Sequence, residues 1–317
     1  MLKRATTLAL TLVLALSFAL PVWAQDDADP IARAADFLLS VQNEDGGFPN
    51  GFAPESDLST TADAVFALAA AGVDLAETFA DGPNPLDYLA EQVATNAEIS
   101  VGQQAKIVNA LVAAGVDPRD FDGQDLVAAM LEAQTVAGTF GGGPFDHCLV
   151  MTALQNAAAD VPENAIAAVV EAQNPDGGWS FAAESASDTN STAVCIQALA
   201  LYPEEAGQAV VDAVDYLFTI QNEDGGWPYQ NPSEYGTDSD TNSTALVLQA
   251  MLAADVTEPA LQDALDWLLS MQQESGAFAF QAAYPDDNIL ATVAVVPVLA
   301  GVPLNAWALE AEAEATE

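Results

Sequence analysis

The sequence predicts an all-α fold, a ring of six helix pairs, and three observations carry that expectation. A seven-residue phrase recurs: Gln42-Asn43-Glu44-Asp45-Gly46-Gly47-Phe48 returns at Gln173 to Trp179, at Gln221 to Trp227 and, altered, at Gln272 to Phe278, with a looser copy from Gln134 to Gly143. A second phrase follows three of these, Ser56 to Ala62, Ser187 to Ala193 and Ser239 to Ala245, each opening an apolar helical stretch. No stretch alternates polar and apolar residues with the period of a strand, while Ala, Leu, Glu and Gln dominate, which favours helix throughout. A unit of helix, turn and helix at roughly 40 to 52 residues falls in the range of helical repeat arrays.

Along the chain, Ile31–Gln42 runs into the first copy of the phrase and carries Asp36-Phe37, and Ser59–Ala71 opens from the second phrase. Pro85–Ala94 carries the matching Asp87-Tyr88 and is followed by the apolar Ser100–Ala114. Asp125–Gln134 ends in the looser copy, with Phe145–Ala158 after it. Glu163–Gln173 ends in the third copy and leads to Thr189–Leu201. Glu205–Gln221, with Asp215-Tyr216, leads to Thr241–Ala254, and Glu258–Gln272, with Asp266-Trp267, leads to Asp287–Leu299. First members mix apolar and charged residues, as half-exposed helices do, and form an outer ring. Second members are apolar nearly all round, as helices surrounded by protein are, and form an inner ring. Six pairs can close on themselves.

The recurring phrase has a structural reading. Its Gln stands at the end of an outer helix, where free carbonyls need donors, the glycine pair supplies a left-handed turn, and the aromatic covers it. Gln42, Gly46 and Phe48, Gln173, Gly177 and Trp179, Gln221, Gly225 and Trp227, and Gln272, Gly276 and Phe278 are thus expected to be clasps and not a binding site.

All 47 acidic residues lie after Gln25, against only Arg33, Lys106 and Arg119 on the basic side. Nucleic acid and anionic lipid are poor partners for such a surface, because their affinity comes from neutralising phosphates with Lys and Arg. A basic start at Lys3 and Arg4, an apolar run from Ala5 to Leu20 and the small-residue signal Val22-Trp23-Ala24 read as an export signal over residues 1–24. A linker over 25–30, the ring over 31–301 and an acidic C-terminal tail over 302–317 complete the layout, for a protein secreted or periplasmic. The apolar stretch Ile289 to Leu309 is broken by Pro297, Gly301, Pro303 and Asn305 and is not read as a membrane span. Cys148 and Cys195 fall early in neighbouring second helices, and in an exported chain they can be a disulfide or two buried thiols.

At these residues the chain resembles a known group. Gln173, Gly177 and Trp179, with Gln221, Gly225 and Trp227, are similar to the Q-x3-G-x-W motif of squalene-hopene cyclases and related terpene cyclases. The resemblance implies an α/α toroid (an α6/α6 barrel), a fold shared with protein prenyltransferases, cobalamin carriers and complement thioester domains. It does not imply one reaction, because sites are grafted onto folds. Terpene cyclases use an Asp-x-Asp-Asp motif whose middle Asp protonates the substrate, and aromatics that stabilise carbocations. Asp238-Ser239-Asp240-Thr241 is the nearest match and lacks the last Asp, and the inner helices carry few aromatics beyond Phe66 and Phe145. The prenyltransferase zinc set of Asp, Cys and His comes from separated positions, whereas Asp146, His147 and Cys148 are consecutive here and diverge by ~100° per residue on a helix. The Cys-Gly-Glu-Gln of thioester domains is absent. Gly225 to Pro228 suggests polysaccharide lyases, which need a cation for the sugar carboxylate, and only Lys106 lies on an inner helix.

Asp57, Asp188 and Asp240 precede inner helices at equivalent places, followed by Ser59, Asn190 and Asn242. They read as helix caps or, with Asp146 and His147, as the acidic rim of a ligand entrance for a cation or a cationic, hydroxyl-rich ligand. A calcium loop starting at Asp238 is excluded by Gln249 at its twelfth place. The expectation is an exported, monomeric α/α toroid without cofactor or resident metal, binding divalent cations weakly at most. Its role is non-catalytic binding of a small molecule, polymer or protein. The alternatives are a divergent isoprenoid cyclase or prenyltransferase-like enzyme and a polysaccharide-active enzyme.

Overall fold

The computed structural model describes residues 29–234 and 236–309. Its helices are α1 (Pro30–Ser40), α2 (Leu58–Ala70), the single turn α3 (Leu75–Thr78), α4 (Pro85–Thr95), α5 (Val101–Ala113), α6 (Leu126–Glu132) and α7 (Pro144–Asn156). They continue with α8 (Glu163–Glu171), α9 (Thr189–Leu199), α10 (Pro203–Thr219), α11 (Thr241–Ala253), α12 (Pro259–Ser270) and α13 (Ile289–Leu299). The twelve expected helices are all present, with ends shifted by about two residues at most, the usual play of helix boundaries. Two antiparallel hairpins, β1 (Phe48–Pro49) with β2 (Ser56–Asp57) and β3 (Phe278–Gln281) with β4 (Tyr284–Asn288), lie in the turns between outer and inner helices.

The inner ring is α2, α5, α7, α9, α11 and α13; each packs on the next, and α13 packs on α2, so the ring closes. Outside it, α4 covers α2, α6 covers α5, α8 covers α7, α10 covers α9, and α12 covers α11, while α1 lies against α13 and α2. Every residue of α9 except Asn190 is buried, as expected of a helix with protein on all sides. Cys148 of α7 and Cys195 of α9 are joined by a disulfide between neighbouring inner helices.

The two repeated phrases prove to be halves of one clasp. In the fourth unit Gln173 Nε2 donates to Gly177 O (2.7 Å) and to Ala209 O (2.8 Å) on the next outer helix. Asn174 Nδ2 donates to Ser187 Oγ (2.9 Å), and Asp176 Oδ1 accepts from Gly178 N–H (3.0 Å) and Ser187 Oγ–H (2.7 Å). Trp179 N–H donates to Thr192 Oγ1 (2.9 Å) and its indole N–H to Val169 O (2.8 Å), which pins the aromatic between outer and inner helix. The same bonds recur at Gln42 and Gln221, and Gln272 reaches Pro30 O (2.8 Å), tying the last unit to the first. The Gln therefore does not satisfy the carbonyls of its own helix, as the sequence suggests; its carboxamide reaches forward to the turn and the following unit.

The tail expected from residue 302 is not a tail over its first part: Val302–Leu309 packs back on the ring, with a 3-10 turn at Leu304–Ala306. Residues 310–317 and the export signal 1–24 lie outside the described residues. Among those described, no helix is long and apolar enough to cross a membrane.

Gly177 has φ 91°, and a Cβ there would meet the Asp212 carbonyl, whereas Gly207, inside α10, has open space around it. Gly177→Ala is expected to cost about 2 kcal/mol or more, and Gly207→Ala to add about 0.5–1 kcal/mol, because alanine is the better helix residue. Thermal melts of the two variants check the opposite signs.

Candidate functional site at the mouth of the ring

Each inner helix follows an outer helix of opposite direction, so the six run parallel and their N-termini share one face. An inner helix is hemmed in by two neighbours and an outer helix, so partial exposure in its first turns comes mostly from the bore. Partly exposed there are Ser59 and Asp63 on α2, Val101, Gln103, Gln104 and Lys106 on α5, Phe145 and Asp146 on α7, Asn190 on α9, Asn242 and Leu246 on α11, and Leu290 and Ala294 on α13; Gln103 is turned back on its own helix start, where its Oε1 accepts Ser100 N–H (3.0 Å). Further down, Phe66, Asn109, Gln197 and Gln249 are buried. The bore is thus a bowl open at the N-terminal mouth, its wall apolar on α11 and α13 (Leu246, Leu290, Ala294) and carrying, on the adjoining α2 and α5, the ion pair Lys106 Nζ–Asp63 Oδ2 (2.6 Å).

The rim is aromatic. Phe52, Phe181 and Tyr284, in the turns before α2, α9 and α13, are 86%, 60% and 64% exposed, and Phe181 lies against the ring of Phe145 at 5.8 Å between centroids. These residues escape a periodicity analysis, because they sit in the irregular turns between helices.

The acidic residues singled out in the sequence do different work. Asp57, Asp188 and Asp240 cap α2, α9 and α11, accepting from the N–H groups of Thr60, Ser191 and Ser243 at 2.8 Å each. The second oxygens of Asp188 and Asp240 accept the hydroxyls of Ser191 and Ser243, again at 2.8 Å. Burial pushes both of these carboxyls above the usual carboxylate range, and the serine hydrogen bonds pull them part of the way back. Asn190 and Asn242, two residues past their caps, do face the bore; Asn242 Nδ2 donates to Leu290 O (3.2 Å), and the Oδ1 atoms of both are buried without a partner.

His147 is not at the rim. It is buried, its Nδ1 accepts Phe140 N–H (3.0 Å) and its Nε2 donates to Ala165 O (3.0 Å). Its place in α7 is that of Thr61, Thr192, Thr244 and Thr292 in their units, whose hydroxyls accept the N–H of Phe48, Trp179, Trp227 and Phe278. An imidazole nitrogen stands in for a hydroxyl. Among the turns that carry the phrase, the one before α7 is the shortest, and beside it lies a cavity of about 290 Å³ lined by Phe140, Gly141–Pro144, His147, Val169 and Glu184. Among the described residues no group of three or more His, Cys, Asp or Glu side chains could hold a metal ion.

These positions decide how an Asp-x-Asp-Asp acid would have to sit. In the frame Asp238-Ser239-Asp240-Thr241 the middle Asp is Asp240, whose carboxylate is occupied with its helix cap. A residue that protonates a substrate must face it. In the frame that begins on the cap, the bore-facing middle place is Asn190 on α9 and Asn242 on α11, carboxamides with no acidic proton.

Two family models match the sequence: the prenyltransferase alpha-alpha toroid domain over residues 5–148 and the squalene-hopene cyclase C-terminal domain over 147–286. A search of curated proteins returns no match. Among solved structures, the type II terpene cyclase MstE from Scytonema superposes with a TM-score of 0.64 at 17% identity, covering 86% of this chain and 96% of that one. A protein from Actinoplanes gives 0.64 at 18% identity, covering 87% and 99%. A glycosidase gives 0.55 at 15% identity, covering 88% and 100%. At these identities the likeness is one of fold.

Burial lowers the pKa of His147 from its ordinary 6.5, outweighing the Ala165 hydrogen bond. The unfolded chain therefore binds a proton there that the folded chain refuses, so this residue's contribution is full above about pH 6.5 and shrinks as pH falls through the folded value. The raised carboxyls of Asp188 and Asp240 act oppositely, contributing most below 3.8 and less as pH rises. His147→Thr, which installs the residue of the other clasps, is expected to stay within about 1 kcal/mol of the parent at pH 7.5 and to lose less stability between pH 7.5 and 5. Denaturant titrations at the two pH values check it.

Proposed function

We propose, on the premise that this chain is a terpene cyclase/prenyltransferase-like α/α toroid, that it holds an isoprenoid or similar hydrocarbon-rich ligand in the mouth of its ring without the acid that starts cyclisation. The single observation behind this is the pair Asn190 and Asn242, carboxamides at the bore-facing places where a cyclase acid would stand. The comparisons weigh toward the isoprenoid-enzyme side of the sequence expectations and away from a polymer- or protein-binding toroid, since both family models describe proteins of that class.

Physical features of the bowl support this ligand class. Leu246, Leu290, Ala294 and Phe145 offer an apolar wall whose burial by hydrocarbon is favourable. Lys106 already has Asp63 as its partner, and the strongly acidic exterior disfavours an anionic diphosphate, so the fitting ligand is neutral, a prenyl alcohol or terpenoid. Export belongs to the same proposal: the Cys148–Cys195 disulfide suits an oxidising compartment.

A second reading, that the chain is a working divergent cyclase, is favoured by one feature. Asp188 and Asp240 hold their protons to higher pH than ordinary carboxyls, as a general acid does. One experiment separates the two. Purified protein is titrated with farnesol and geranylgeraniol by tryptophan fluorescence, then incubated with the matching substrates and extracted for gas chromatography–mass spectrometry. Binding without cyclic product is expected, with affinity lost at least about tenfold in Leu246→Asp. Cyclic product that disappears in Asp240→Asn would establish the second reading, and no binding by either alcohol would remove the isoprenoid proposal.

A further inference from the structure

The ring's other end is closed by the chain itself. After α13 the backbone turns at Gly301 and runs across the C-terminal ends of the inner helices, where the turn Leu304–Ala306 packs on α7, α9 and α11. Gln197 Oε1 accepts Leu304 N–H (2.9 Å), Asn156 Nδ2 donates to Leu304 O (2.8 Å), Asn305 Nδ2 donates to Gln197 O (2.8 Å), and Leu309 N–H donates to Asn156 O (3.0 Å). Trp307 reaches α2 on the far side, edge-on to Phe66 with centroids 6.0 Å apart. The segment therefore spans the opening from wall to wall.

What it sits on is unusual for a helical core. Asn109, Asn156 and Gln197, all buried, form a layer of carboxamides, with Asn156 Nδ2 also donating to Asn109 Oδ1 (2.9 Å). With the segment in place, Asn109 Nδ2, Asn156 Oδ1, Gln197 Nε2 and Trp307 Nε1 are still buried without partners. Leaving such groups unpaired is costly, and a seat evolved only to fix the segment would be apolar or fully paired. Two N–H donors and one carbonyl oxygen of the layer, Asn109 Nδ2, Gln197 Nε2 and Asn156 Oδ1, are instead what an oxygen-bearing group of a ligand would use.

We propose that Val302–Leu309 is a displaceable stopper, and that the Asn109–Asn156–Gln197 layer beneath it is a binding site for a hydroxyl or carbonyl group that the stopper holds shut. The stopper opens while the ring stays folded, whatever ligand the opposite mouth takes.

Hydrogen exchange on the full chain tests this directly, because the amides of Leu304 and Leu309 donate only across this contact. In the wild-type protein they are expected to exchange at least about tenfold faster than the inner-helix amides of Ile196 and Ala250. In Asn305→Ala/Trp307→Ala the gap widens by about another tenfold, the melting curve stays cooperative, and uptake of the neutral dye N-phenyl-1-naphthylamine rises. Adding glycerol or 1-octanol, as carriers of a hydroxyl, slows exchange at the Asn109 and Gln197 side chains of the opened variant. Exchange of Leu304 and Leu309 at the rate of the inner helices would show an integral part of the core and overturn the stopper. Fast exchange without dye uptake, or with side chains indifferent to both alcohols, would overturn the site beneath it. Because the dye and the alcohols are not isoprenoids, failure of the isoprenoid reading leaves this result standing on its own.

Discussion

The whole ring hangs on a carboxamide that reaches into the next unit. A glutamine just past the end of each phrase-bearing outer helix binds its own turn and the outer helix that follows or the chain just before it, and Gln272 does so to Pro30, across the seam. Among the described residues no other polar tie between a helix pair and its neighbour recurs with this regularity. The bond works because the first glycine of the phrase lets two backbones approach within a distance that a side chain would prevent. The aspartate, asparagine and serine of the two phrases then lock the turn, and the threonine receives the aromatic's N–H, so outer helix, turn and inner helix are set relative to one another by adjacent bonds.

Much of this was legible. The helices, their division into two rings and the closure follow from repetition, which multiplies a weak local signal by the number of units. The clasp was visible as a phrase but its direction was not, since a glutamine side chain can reach backward or forward and only the packing of the next helix decides. His147 lies in the clasp and not at the expected acidic rim for a chemical reason: its imidazole nitrogen takes the role of the Thr61 and Thr192 hydroxyls, an equivalence that the unlike side chain conceals in the sequence. The closing segment was illegible. Leu304 and Asn305 have no periodicity, and their partners at Asn156 and Gln197 lie more than a hundred residues away.

The site shows the same division. Asn190 and Asn242 stand out in the sequence by repetition, and the structure gives them a common mouth. Asp188 and Asp240, equally conspicuous, are turned into the helix ends, where a carboxylate saturates donors that would otherwise be bare. Asp63 and Lys106 carry no repeated signature at all, and they become neighbours only because α2 and α5 lie side by side. Repetition therefore reveals what builds the frame more readily than what the frame presents.

Closure at the α13–α2 contact has a consequence for how the molecule comes apart. In a linear array the terminal repeats have one neighbour each and fray first, so unfolding can creep inward one unit at a time. A ring has no such end. Any unit that melts must sever two interfaces at once, and the arc left behind exposes apolar faces on both sides of the gap. The population of half-melted chains, the species from which aggregates of repeat proteins grow, is thereby kept low by geometry alone.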